Sequence, residues 1–88
     1  MELQYEKGRI FALDPEGKLI AEILFPSLNG VAAITRTFVD ESLRGQGAAG
    51  QLMEAAVDQI RSEGLKAHPI CSYAAKWFEK HPEQGDLL

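Results

Sequence analysis

Side chains able to do chemistry are sparse in this chain, and its single cysteine is the first to weigh. Cys71 lies just before a segment of helical pattern, where the dipole and free amides of a helix start favour a thiolate and make it a candidate nucleophile. Cysteine also packs well as a small apolar residue, and that reading stands equally open. Alone, it forms neither an intramolecular disulfide nor a cysteine zinc cluster, which agrees with a reducing compartment. Histidine titrates near neutrality, so His68 and His81 are candidate bases. His81, directly before Pro82, sits at a helix end where the dipole accounts for it without catalysis, and His68 lies on a strand. Asp40 and Glu41 are acidic enough to attract a cationic amine, although turns commonly carry charge.

The segment that concentrates these possibilities is Arg44-Gly45-Gln46-Gly47-Ala48-Ala49. It leads from a polar turn into a helix. Small residues let a ligand approach the main chain, and the first amides of a helix lack internal partners. With the positive end of the dipole beneath them and Arg44 beside them, they form an anion cradle of the kind that holds a pyrophosphate. Turn geometry and close packing explain the same glycines without a ligand. Neither rival phosphate motif fits, because no Lys-Ser or Lys-Thr follows the glycines and no second half of a dinucleotide fold is present.

The elements that position this turn are read from periodicity. Lys7 to Leu13 is a strand, Asp14-Pro15-Glu16-Gly17 a turn, and Lys18 to Phe25 a strand covered on both faces. Pro26 ends it, Ser27-Leu28-Asn29-Gly30 is a tight connection, and the β-branched residues of Val31 to Val39 favour a third strand. Ala48 to Glu63 carries Leu52, Met53, Ala56, Val57 and Ile60 on one helical stripe, closed by Gly64. Lys66 to Ile70 suits a last strand, and Ser72 can cap a second helix that Pro82 stops. The tail from Glu83 gives little signal. The order β-β-β-α-β-α describes an α/β (α+β) fold: an antiparallel meander whose last strand, reached by a crossover, lies parallel to the third.

Arg44-x-x-Gly47-x-Ala49 resembles the Arg/Gln-x-x-Gly-x-Gly/Ala signature of the GNAT superfamily of acetyl-coenzyme A-dependent N-acetyltransferases, in which the loop amides hold the pyrophosphate. Thr37-Phe38-Val39 through Leu43-Arg44-Gly45-Gln46-Gly47, with Cys71-Ser72-Tyr73 and Trp77-Phe78-Glu79-Lys80-His81-Pro82-Glu83, resembles more closely the very short single-domain GNAT-like proteins. The likeness covers nearly the whole chain and implies a truncated GNAT core, with acetyl-coenzyme A between the third and last strands where they splay apart. Backbone groups of Phe38 and Val39 would engage the pantetheine arm, and Arg44, Gly45, Gln46, Gly47, Ala48 and Ala49 the pyrophosphate. A tyrosine near the start of this helix protonates the leaving sulfur in many GNAT enzymes, a role the resemblance offers Tyr73, which also suits the core margin. Cys71 would carry an acetyl intermediate or contact the coenzyme without covalent chemistry. Lys76 and Lys80 either approach coenzyme phosphates or are simply solvated, while Trp77 and Phe78 read as packing. The family often has histidine before the residue matching Thr37, and this chain has Arg36 there, so no base is assigned.

Composition limits the remaining choices. Eighty-eight residues with 45% hydrophobic content make one small soluble domain, 1–88, and a net charge of −4 with scattered basic residues argues against nucleic acid and anionic membrane as partners. No apolar run approaches a membrane span and the start lacks a signal-peptide plan, so a cytoplasmic location is expected. No metal is called for. The reading is an N-acetyltransferase acting on a small amine or a protein lysine; the alternatives are a coenzyme-binding or acetyl-CoA-sensing module without turnover and an interaction protein using the meander edge. A domain this small could also complete its acceptor pocket as a homodimer.

Overall fold

The computed structural model describes residues Met1–Leu88. Strands β1 (Gln4–Glu6) and β2 (Arg9–Leu13) form a hairpin turning at Lys7-Gly8, so the first expected strand starts two residues late and gains an edge partner. All three residues of β1 are exposed, which is why no apolar period announced it. Gly8 has φ +70, and a Cβ there would meet Pro26 Cα at 3.3 Å, so both conformation and space call for glycine.

Strand β3 (Leu19–Leu24) runs antiparallel between β2 and β6 (Arg36–Val39), giving the sheet order β1-β2-β3-β6. A second sheet contains β4 (Ser27–Leu28), β5 (Val31–Ile34) and β7 (Lys66–Pro69), with β5 and β7 parallel from Val31↔Lys66 to Ile34↔Pro69. The parallel pairing matches the expected crossover. Ser27 and Leu28, expected only as part of a connection, instead form a short arm. Asn29 and Gly30, at φ 53 and 82, make the two-residue hairpin loop that matches strand twist.

The expected third strand is broken at Thr35. Below the break, β5 belongs to β7; above it, β6 belongs to β3, and the Thr35 amide bonds the Leu24 carbonyl at 3.0 Å. The Ile34 carbonyl accepts from both Ile70 and Cys71 amides, each at 3.0 Å, which pins the end of β7 to the break. One strand thus serves two sheets, and beyond Ile34 the β7 side departs into helix α2 (Ser72–Lys80).

Helix α1 (Ala48–Ser62) buries Leu52, Met53, Ala56, Val57 and Ile60 against Ile10, Ala12, Ala21, Ile23 and Ile34. Each large side chain so covered contributes roughly 1.5–3 kcal/mol, enough in sum to orient the helix across both sheets. Its end is a Schellman motif: Leu65 N–H bonds the Ile60 carbonyl at 3.0 Å and Gly64 N–H the Arg61 carbonyl at 3.1 Å, with Gly64 at φ 70. Cys71, rather than Ser72, takes the N-cap position of α2, because its bond to Ile34 holds it extended (φ −69, ψ 147) while its carbonyl opens the helix with Ala75. The tail forms a 3-10 turn, Pro82–Leu87, with Leu87 buried and Asp86 tied to Arg61 at 2.6 Å and, through its carbonyl, to Lys66 at 2.6 Å. No helix is long and apolar enough to cross a membrane.

Candidate functional site

Between β6 and α1 the chain makes a 3-10 turn, Glu41–Leu43, held by Asp40, whose carboxylate accepts from the Ser42 amide at 3.1 Å and hydroxyl at 2.7 Å. Those bonds hold the Asp40 carboxyl below its ordinary range, with Lys18 at 3.5 Å adding to the effect. Asp40 is therefore a turn-former. The Arg44 amide bonds the Glu41 carbonyl and the Gln46 amide the Leu43 carbonyl, so Gln46 spends its N–H inside the turn. Its side chain also turns inward, to the Ser42 carbonyl at 3.2 Å.

The glycines at the end of this turn behave differently. Gly45 and Gly47 have φ 76 and 72, and a Cβ at either would meet nothing within 4 Å, so these glycines serve conformation rather than close packing. The left-handed Gly47 takes the N-cap position without any side-chain cap, and the first bond of α1 is Gln51 N–H to its carbonyl. The amides of Gly45, Gly47, Ala48, Ala49 and Gly50 therefore donate to no protein acceptor. They border an open depression of about 310 Å³ lined also by Val39, Leu43, Arg44 and Tyr73. Arg44 is highly exposed and only loosely opposed by Glu41 at 3.8 Å, leaving its cation free to turn to a ligand.

The edge of β6 leads from this depression into the fork. The bond from Asp40 N–H to the Ile20 carbonyl sets the parity of the ladder: Phe38 exchanges backbone bonds with Glu22, while Thr37 and Val39 turn theirs to the unpaired edge. Of the two residues expected to offer backbone to a pantetheine arm, Val39 faces the gap and Phe38 faces β3. Thr37, not singled out in the sequence, presents its backbone to the same unpaired edge; strand parity was the signal, and it needed the partner strand to be read. Across the gap, the Thr37 Oγ1 lies 3.5 Å from the Sγ of half-buried Cys71.

Tyr73 stands between two depressions. Burial, and then the nearby Glu54 carboxylate, raise its phenol above the ordinary value of 10, so it stays protonated through neutral pH. Its hydroxyl is the nearest atom, at 4.0 Å, to a Cβ built on Gly50. Beyond this pair a second depression of about 300 Å³ opens between α1 and α2, lined by Glu54, Lys76, Trp77, Lys80 and His81. His81 caps the end of α2 as expected, stacked on Trp77 at 4.0 Å and bonded through Nδ1 to the Trp77 carbonyl at 2.8 Å. His68 is exposed and faces away from the core side that Ala67 occupies on β7. Neither histidine is brought to Cys71.

On the outer face of the sheet, Glu22 is covered by Arg9 at 2.7 Å and Arg36 at 3.3 Å, with Arg9 lying over the Phe11 ring at 3.7 Å. Arg36 thus braces β3 to β6 immediately before Thr37.

This geometry has counterparts among known proteins. A family model described as GCN5-related N-acetyl-transferase matches residues 9–87. A GCN5-like protein of Staphylococcus aureus, solved by NMR, superposes with a TM-score of 0.80 at 30% identity, over 98% of this chain and 85% of that one. An Escherichia coli GNAT family N-acetyltransferase in complex with CoA superposes with a TM-score of 0.57 at 28% identity, over 65% of this chain and 35% of that one. Protein NATD1 of Xenopus tropicalis is 39% identical over 49 residues, 56% of this chain and 45% of that protein. The human Protein NATD1 is 36% identical over 52 residues, 59% and 46%. The chain spans about half the length of these curated relatives.

Proposed function

Because the chain belongs to the GCN5-related N-acetyltransferase family, we propose that residues 1–88 act as one acetyltransferase domain that binds acetyl-coenzyme A and passes the acetyl group to an amine, a small molecule or a protein lysine, in the cytoplasm. The observation that carries this is the set of unaccepted amides of Gly45, Gly47, Ala48, Ala49 and Gly50 at the start of α1, opening onto the fork between β6 and α2. A diphosphate satisfies those donors with charge-assisted bonds, and the helix dipole and Arg44 add to the attraction.

The other residues then take roles by position. Thr37 and Val39 offer backbone groups to the amides of the pantetheine arm. Tyr73, a protonated phenol at the mouth of the fork, gives its proton to the departing thiolate as the amine attacks the thioester carbon. Isothermal titration with coenzyme A is the direct test: binding in the micromolar range is expected, and no heat at millimolar ligand would end the proposal.

A second route is favoured by one contact. The Thr37 hydroxyl can donate to a Cys71 thiolate, which would attack the thioester carbon, release the coenzyme thiolate to be protonated by Tyr73, and hold acetyl until an amine removes it. A module that binds the coenzyme without turnover is the remaining reading. It is told apart by assaying thiol release with amines, polyamines and lysine peptides.

A further inference from the structure

One face of the antiparallel sheet packs on α1 through Ile10, Ala12, Ala21 and Ile23. The other carries a row of charges that takes one side chain from each strand: Glu6 on β1, Arg9 on β2, Glu22 on β3 and Arg36 on β6. The signs alternate along the row, with Glu6 3.1 Å from Arg9, Arg9 2.7 Å from Glu22, and Glu22 3.3 Å from Arg36. Glu22, the buried member, gives its closer bond to Arg9. The row therefore ends on a cation, at the edge where β6 borders the fork and one residue before Thr37.

Arg36 is the member with capacity to spare. It meets Glu22 through Nε alone, more than half of its side chain is exposed, and neither terminal nitrogen has an acceptor. The Nε bond and the Phe38 ring, 5.4 Å away, hold the guanidinium over β6. What the row lacks is the next anion, on the far side of the fork. There β7 offers none: alternation from the buried Ala67 puts His68 and Ile70 on this face, and Ile70 is 55% exposed. The amide cradle and Tyr73 lie on the helix-covered face. A thioester held from that side presents its carbonyl carbon to whatever enters the fork from this one.

We propose that Arg36 selects the acceptor, and that the acceptor is a free amino acid, whose carboxylate docks on the two terminal nitrogens of Arg36 while its amine enters the gap beside Thr37. This rests on the reading of the domain as an acetyltransferase. The planar end of a guanidinium meets a carboxylate with two parallel bonds. A polyamine or a lysine side chain would bring a cation and no anion to a lip formed by Arg36 and the apolar Ile70. In the transfer the neutral amine bonds the thioester carbon and the C–S bond breaks. Tyr73 protonates the departing thiolate, the extra proton on nitrogen passes to water, and the phenolate takes one back from water.

The test measures coenzyme thiol release with glycine, β-alanine and γ-aminobutyrate, each against its own carboxamide, and with a lysine peptide blocked at both ends. The three acids place the carboxylate at increasing distance from the amine. At least one should exceed its amide by about tenfold or more in kcat/KM, as a charge-assisted bidentate pair implies. The amide has the less basic amine and so more of the neutral nucleophile, which means that a bias toward the acid measures recognition. Arg36→Gln, which keeps a donor for Glu22, should reduce the preference to about twofold or less with coenzyme affinity by isothermal titration unchanged. Lys7→Ala removes an equal charge beside Glu63 at the far end of α1 and should leave the preference as it was. Equal use of every acid and its amide, faster use of the blocked peptide, or a preference that survives Arg36→Gln overturns this inference and leaves acetyl transfer standing. Thiol release that no acceptor raises above its rate in buffer overturns both.

Discussion

The hydroxyl of Thr37 and the thiol of Cys71 meet at 3.5 Å across the gap between a strand that has left its sheet and a helix that is about to start. Neither residue is placed by its own element alone. Thr37 is carried there by the partner switch at Thr35, and Cys71 by its amide bond to Ile34. If this contact supports a thiolate nucleophile, incubation with acetyl-coenzyme A should leave an acetyl group on Cys71, detectable by intact mass and lost on adding amine. Absence of the adduct, with transfer by Cys71→Ser undiminished, removes the covalent route and leaves direct attack.

Tyr73→Phe keeps the ring and its packing while deleting the proton donor. We expect kcat to fall by about 10²-fold with KM for the coenzyme little changed, in the range general acid catalysis supplies. Because the phenol titrates above its ordinary value, its loss of a proton should limit the rate only beyond pH 10. A kcat equal to that of the unaltered protein would mean another group protonates the thiolate.

Gly47 sits at φ 72 with open space around its α-carbon. Gly47→Asn, which tolerates the left-handed region, should keep the fold and most coenzyme affinity. Gly47→Glu should abolish binding through bulk and like charge in the cradle; an intact fold with unchanged affinity would show that the diphosphate lies elsewhere.

Gly50 is helical, and helical glycine costs about 0.8–1.0 kcal/mol relative to alanine. A methyl there would be 4.0 Å from the Tyr73 hydroxyl, ordinary contact distance. Gly50→Ala should therefore raise the melting temperature while weakening coenzyme binding several-fold, because the methyl enters the passage between the two depressions. A stabler protein with unaltered affinity would place the ligand off this path.

The tail is secured by Asp86, whose carboxyl is held below its ordinary value of 3.8 chiefly by its bond to Arg61. A carboxyl depressed in the folded state stabilises above the unfolded pKa, and that contribution disappears as pH falls through the folded one. Asp86→Asn should lower the melting temperature at neutral pH, and the difference from the unaltered protein should shrink below about pH 4. A difference constant down to pH 2 would mean the aspartate acts through packing rather than charge.

The long apolar stripe of α1, its glycine stop and the glycine-bearing entry were legible in the sequence because each is written within a few consecutive residues. Gly64 announced its cap, and Ala48 its helix start, by residue type alone. The break at Thr35 was not legible: Val31 to Val39 is uniformly β-prone, and only competition between β3 and β7 for its backbone divides it. For the same reason Phe38 and Val39 looked alike, although the ladder turns one toward Glu22 and the other toward the fork. The exposed β1 and the Asp86–Arg61 anchor depend on partners far along the chain, which local pattern does not register. The sequence leaves Lys76 and Lys80 open between coenzyme phosphates and solvent, because freedom from an ion pair is a property of the whole surface.

The Ile34 carbonyl, accepting two amides, sits at the crotch of the fork, so the opening above it is set by the chain's own hydrogen bonds rather than by whatever enters. The strands cannot zip shut over an absent guest without tearing out two amides that share one oxygen. Hydrogen exchange at Ile70 and Cys71 should be slow with or without coenzyme, marking a slit that is built in advance and kept ajar.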